Sequence, residues 1–252
     1  IYGVMAFVLD YPNSLDRRRG KDGDGIWLHG SNEPLSPRNT SGCIAVTNED
    51  IIELSKYIKL NQTPIVIEEE IDYTTPEELR ERDQAVRRFL REWKRAWEEK
   101  DWNRWAQCYS ADFRSNGRKN GQTLKQWKKR KERVSRGRSW IRITLSDPLV
   151  EHHKDKTLVI FNQHYRSPQF CSRCKKILCL RKEGSEWKIL SEESYPLTRE
   201  ELEEERERER RELEANIRAF VSRWRQAWEE GRLDEYMSCY SRERFRSGGK
   251  GW

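Results

Sequence analysis

Two residues of this chain are suited to covalent chemistry: His29, within Trp27-Leu28-His29-Gly30-Ser31, and Cys43, which closes Thr40-Ser41-Gly42-Cys43 fourteen positions later (43 minus 29). A thiol with an ordinary pKa of about 8.5 is mostly protonated at neutral pH, so a nucleophilic cysteine needs an imidazole to take its proton. His29 fills that role. Acyl transfer also needs backbone N–H groups aimed at the developing oxyanion, and a glycine just before the nucleophile lets a carbonyl approach the main chain. Gly42 stands there. The spacing therefore points to cysteine acyl transfer. On residue types alone, a small buried Cys43 and an ordinary loop histidine stay open as the plainer reading.

Short elements must position this pair. Val4 to Leu9 reads as a strand, Tyr11-Pro12-Asn13 as a turn and Arg17 to Gly25 as a charged, glycine-rich loop. Ile26 to Leu28 is a strand delivering His29, and a second strand follows Cys43. Asn48 is the expected N-cap of a helix over 49–58, with Ile51, Leu54 and Ile58 on one face, and Thr63 to Ile67 closes the unit as a strand.

Together with Pro37-Arg38-Asn39-Thr40 and the helix start Thr47-Asn48-Glu49-Asp50, these residues resemble the L,D-transpeptidase (YkuD-type) catalytic domain, whose signature is a histidine followed, after a gap, by [Ser/Thr]-His-Gly-Cys. The resemblance implies Cys43 as nucleophile, His29 as base and Gly42 at the oxyanion, with Gly30, Ser31, Arg38, Thr40 and Ser41 toward the substrate. Ser41 stands where the motif often has histidine, and Ala45 where an arginine often follows the cysteine. It further implies an enzyme acting on peptidoglycan stem tetrapeptides, as transpeptidase or carboxypeptidase, in the periplasm of a bacterial envelope, with no cofactor. Residues 1–72 correspond to the C-terminal part of such a domain, so the remaining strands and a signal peptide are expected upstream of Ile1.

The rest of the chain reads differently. A connection over 73–84 leads into a long helix from Thr75-Pro76-Glu77-Glu78 to about Lys100, with Val86, Phe89, Leu90, Trp93, Ala96 and Trp97 on one face. A helix over Trp102 to Tyr109, a strand near Phe113, a basic helix from Leu124 to Val134 and strands over 140–150, 157–165, 176–181 and 187–193 complete an α+β pattern. Phe89, Trp93, Trp97, Asp101 and Tyr109, with the closing Gly184-x2-Trp187-Lys188-Ile189, resemble the nuclear-transport-factor-2-like (SnoaL-like) cone over 85–197. Phe89-x3-Trp93-x2-Ala96-Trp97 then recurs as Phe220-x3-Trp224-x2-Ala227-Trp228, and Cys108-Tyr109-Ser110 as Cys239-Tyr240-Ser241. Residues 216–252 therefore read as the start of a second, truncated copy, and the Glu/Arg-rich 198–215 as a solvated helical linker. A cone following this catalytic domain looks like the cell-shape-determining L,D-carboxypeptidases.

Composition points to anionic surroundings. The 252 residues are 37% charged with net charge +7, and mean hydropathy is −1.07, yet 11 Trp, 9 Tyr and 7 Phe supply cores. No stretch is long and apolar enough to read as a membrane span. Charge alone does not choose among anionic partners; given the resemblance to wall enzymes, the basic stretch 114–138, including Arg118, Lys119 and Lys131 and interleaved with Trp127, suits an anionic wall polymer or membrane surface better than nucleic acid. Cys171, Cys174 and Cys179 lack a fourth ligand, so no metal site is expected, and a Cys171–Cys174 disulfide stays open for an oxidising envelope. His152-His153 is expected at an exposed hairpin tip, and His164 is a candidate for the cone's lining. A non-catalytic binding module built on the cones is the alternative function. The sequence leaves the oligomeric state open.

Overall fold

The computed structural model describes residues 2–60, 63–67, 73–117, 120–153, 156–241, 246–247 and 250–251. Arg118 and Lys119 of the basic stretch lie outside the described residues. The architecture is α+β, and the chain divides into two compact units, 1–196 and 197–252.

The first unit opens with β1 (Ala6–Val8), α1 (Ser14–Arg18), β2 (Trp27–Ser31), β3 (Ile44–Thr47) and α2 (Asn48–Ser55). β1 pairs antiparallel with β2, and β2 pairs parallel with β3 in the register Leu28↔Ile44, His29↔Ala45. α2 starts one residue earlier than expected. Thr47 is its N-cap, its hydroxyl accepting from Asp50 N, and the Asn48 side chain is thereby released for other work. Among the described residues, 63–67 form no strand, and Ile65, Val66 and Ile67 are exposed.

The cone follows. Thr75 and Glu78 form a capping box that starts α3 (Pro76–Glu98), whose buried arc is Val86, Leu90, Trp93, Ala96 and Trp97. α4 (Trp102–Gln107) and α5 (Leu124–Ser135) flank it. The sheet runs β4 (Arg142–Leu145), β6 (Lys156–Ser167), β7 (Phe170–Glu183), β8 (Glu186–Pro196), with β5 (Leu149–His153) also paired to β6. The expected single strand over 140–150 is two strands, because Pro148 offers no N–H to the ladder. Between them, the Ser146 hydroxyl accepts from Asn162 N at 2.9 Å. Near Phe113 there is a turn with one isolated bridge, Arg114 to Thr123, in place of the expected strand.

Side chains alternate across the sheet, so β6 and β7 bury one set against the helices and another on the outer face. The inner set, with Trp93, Trp97, Trp105, Tyr109 and Phe113, makes the main core. Successive rings meet edge to face, as in Trp93–Trp97 at 5.3 Å and Tyr109–Phe113 at 5.0 Å. The outer set, Leu158, Ile177, Cys179 and Leu190, is covered by Leu15 of α1.

The second unit holds α6 (Arg199–Glu229) and α7 (Leu233–Ser238), followed by the short β9 (Arg246–Ser247) and β10 (Lys250–Gly251). Its helix pair repeats a detail of the cone: Trp224 Nε1 donates to the Tyr240 hydroxyl at 2.9 Å, as Trp93 Nε1 donates to Tyr109 at 3.0 Å. Pairs such as Arg199–Glu203 and Arg225–Glu229 lace the solvated face of α6.

Phe113 is fully buried among aromatic rings. Phe113→Ala is expected to cost about 3–5 kcal/mol in urea unfolding, and a loss below about 1 kcal/mol would contradict this packing.

Candidate active site

His29 is buried in the middle of β2, and its Nδ1 lies 2.7 Å from the Gly30 carbonyl. A carbonyl only accepts, so Nδ1 carries the hydrogen of this bond. In the neutral ring the lone pair is then on Nε2. Tyr2 packs edge-on against the imidazole at 4.9 Å and tilts over Trp27 at 4.7 Å.

Cys43 immediately precedes β3. Its thiol donates to the Gly25 carbonyl at 3.6 Å rather than to the imidazole. Cys43 thus lies one residue before the strand that pairs with β2, with its thiol bonded to Gly25 and not to His29.

The surrounding residues mostly shape the backbone. Gly42 has φ +112, a conformation side chains rarely adopt, and a Cβ there would come within 2.8 Å of Ile26 Cδ1. The Thr40 hydroxyl donates to the Cys43 carbonyl at 2.7 Å and closes the turn. Ser31 is engaged with its own loop, donating to Glu33 O at 2.8 Å. Gly30 faces α2, where a Cβ would sit 2.4 Å from Asn48 Oδ1. Ser41 and Arg38 are exposed, the latter at φ +58.

The Asn48 side chain is a contributor the sequence reading passed over. Its Oδ1 accepts from Val4 N at 3.0 Å and its Nδ2 donates to Asn32 at 2.9 Å. It ties the segment before β1 and the start of the loop after β2 to the first residue of α2. The visible signal was a polar residue at a strand–helix junction whose cap was already supplied by Thr47.

The remaining cysteines fall into place. Cys179 is fully buried, and burial pushes the Cys108 thiol up to about 11. Cys171 and Cys174 are free and, three positions apart on β7, face opposite sides of the sheet. His164 lies on the outer face with its Nε2 3.2 Å from Cys171, not in the cone's lining. His152 is not an exposed tip residue: its ring bonds Thr157 at 2.9 Å and Asp83 at 3.0 Å.

Inside the cone lies a second constellation that the sequence reading missed. The Glu192 carboxylate is fully buried; it accepts from Lys176, from the Tyr109 hydroxyl at 2.7 Å and from Trp127 Nε1 at 3.3 Å, with Lys131 Nζ 3.5 Å away. Lys131 also sits over the Trp97 ring at 3.9 Å. Burial pushes Glu192 up, but the two ammonium groups outweigh it and hold the carboxyl near 2. Burial pushes Lys131 down to about 8 against the pull of Glu192. The clue in sequence was Lys131 itself, which continues the half-buried arc Leu124, Trp127 at helical spacing.

Residues 3–67 match the L,D-transpeptidase catalytic domain (YkuD), and residues 85–193 match the Cds6 C-terminal NTF2-like domain. Among solved structures, Bdellovibrio bacteriovorus Bd1075 is 34% identical, covering 79% of this chain and 71% of that one, with a TM-score of 0.68. The helical cell shape determining protein Pgp2 from Campylobacter jejuni is 25% identical, covering 76% and 68%, with TM-scores of 0.57 and, in a point-mutant form, 0.59. No curated protein matches the chain. The chain belongs to the family that joins a YkuD-type L,D-transpeptidase domain to an NTF2-like domain, and it is related to cell-shape proteins such as Pgp2. Among the described residues, no helix is long and apolar enough to cross a membrane.

The buried carboxylate gives a pH signature. Its pKa is lower folded (about 2) than its ordinary 4.5, so its stabilising contribution is complete above 4.5 and is lost as pH falls toward 2. Glu192→Gln is expected to be less stable than the parent at neutral pH, with the gap closing between pH 4.5 and 2 in urea titrations. A gap independent of pH would contradict the assignment.

Proposed function

We propose that the chain is a peptidoglycan-modifying cysteine acyltransferase. The observation that supports this reading is the parallel β2–β3 register His29↔Ala45, with Cys43 just before β3 and the Nδ1–H of His29 held by the Gly30 carbonyl. Family membership supports action on cell-wall material, and the helical cell shape named for Pgp2 supports a role in cell form.

In the mechanism, the Cys43 thiol leaves the Gly25 carbonyl and gives its proton to Nε2 of His29. The thiolate attacks the carbonyl that joins the diamino acid of a stem tetrapeptide to its terminal D-alanine. Backbone N–H groups at the Gly42 turn stabilise the oxyanion. The imidazolium returns its proton to the leaving amine, the C–N bond breaks, and D-alanine departs as the thioester forms. Water resolves the thioester in a carboxypeptidase, and a second stem's amine resolves it in a transpeptidase. A purely binding role would leave the paired placement of His29 and Cys43 without use.

Cys43→Ala is expected to reduce release of D-alanine from a tetrapeptide stem by at least about 10³-fold, measured by coupled assay. Release within about twofold of the parent would overturn the proposal.

A further inference from the structure

The glycine-rich loop that reaches the Cys43 thiol has its other end fastened to the cone. α1, just before this loop, is bound to the sheet by three kinds of contact. Leu15 is 2% exposed and fills the outer-face cluster of Leu158, Ile177, Cys179 and Leu190. One guanidinium nitrogen of Arg17 donates to both oxygens of Glu193 at 2.7 Å, the two side chains being 19% and 6% exposed. Arg18 donates to the backbone carbonyls of Asp112 and Leu190 at 2.9 Å each.

The chain then turns back, Lys21 N donating to Asp16 O at 2.9 Å, and runs through Gly23 to Gly25. There the Gly25 carbonyl takes the Cys43 thiol, and Leu9 N, donating to Ile26 O at 3.0 Å, pins the far end. Six residues, 19–24, separate the cone-bound Arg18 from the thiol-bound Gly25, which limits the reach between the two anchors. The cone side of this connection is equally direct. Adjacent residues of β8 point in opposite directions, Glu192 into the buried lysine cluster and Glu193 outward to Arg17.

We propose that Arg17 and Glu193 form a latch by which the cone positions the glycine-rich loop and, through the Gly25 carbonyl, controls whether the Cys43 thiol is held away from His29 or released to it. This rests on Cys43 being the nucleophile. Arg17 and Glu193 are positioning residues. With the latch closed the thiol is parked on Gly25; with it open the loop relaxes and the thiol turns toward the imidazole.

The test is the rate at which iodoacetamide alkylates Cys43 in the intact chain, read by peptide mass spectrometry with the exposed Cys171 as internal reference. Arg17→Glu is expected to raise the Cys43 rate roughly fivefold, the loss of one hydrogen-bonded restraint. The swap Arg17→Glu with Glu193→Arg is expected to restore the parent rate, which a merely unfolded surface would not do. Two glycines inserted between Asp22 and Gly23 leave the latch intact but slacken the loop, and are expected to reproduce the faster alkylation. A Cys43 rate unchanged by the insertion overturns the latch, whatever Arg17→Glu does to folding; so does a folded swap that stays fast. Alkylation needs no substrate, so the two readings fail separately: normal D-alanine release with no latch response counts against the latch alone, and a latch response without release counts against acyl transfer alone.

Discussion

The parallel pairing of β2 with β3 is the constraint on which the site depends. Antiparallel neighbours can be joined by two residues, but a parallel partner must be reached by a crossover of a dozen or so. Here residues 32–43, twelve of them (43 minus 31), make that crossing. The crossing returns the chain to the level of Leu28, so that Cys43 lies one residue before the strand paired with the one that carries His29. A helix in the crossover would move the thiol away; the Thr40–Cys43 turn, the positive φ of Gly42 and the Asn48 clasp hold the loop in place of one.

The cone presents the opposite problem, a charge placed inside an aromatic core. An isolated carboxylate at the position of Glu192 would cost several kcal/mol in desolvation. Two ammonium groups, a phenol and an indole N–H offset that cost by satisfying both oxygens. Lys131 and Trp127 come from α5, Lys176 from β7 and Tyr109 from the segment just after α4, so the network ties these three to β8. Such a cluster contributes specificity of arrangement more than net stability. One residue on, Glu193 binds Arg17, and the inside of the cone is thereby one peptide away from the contact with α1.

Elements with a strong local signature were legible in the sequence. The capping box at Thr75 and the Trp93/Trp97 periodicity fix α3, and the repeat at Trp224 and Tyr240 carries the same indole–hydroxyl bond. What failed depended on neighbours that a single strand does not encode. Ile65 to Ile67 has strand propensity, yet among the described residues it pairs with no strand. His164 alternates correctly, yet which face is inner depends on where Trp93 and Trp97 pack. Lys176 and Glu192 read as ordinary polar strand residues, because their burial follows from a lysine on a different helix. The Cys/His pair was visible by residue type and spacing, whereas the thiol's bond to Gly25 follows from the path of a glycine loop with no pattern of its own.

The central claim is that Cys43, activated by His29, carries the acyl group. Its most direct test is to quench the chain in acid during turnover of a tetrapeptide stem and map the covalent adduct by peptide mass spectrometry. The account predicts a tripeptide thioester on the peptide that carries Cys43, absent from Cys43→Ala and strongly reduced in His29→Ala. An adduct on Cys171, whose thiol lies 3.2 Å from His164 Nε2, would contradict it.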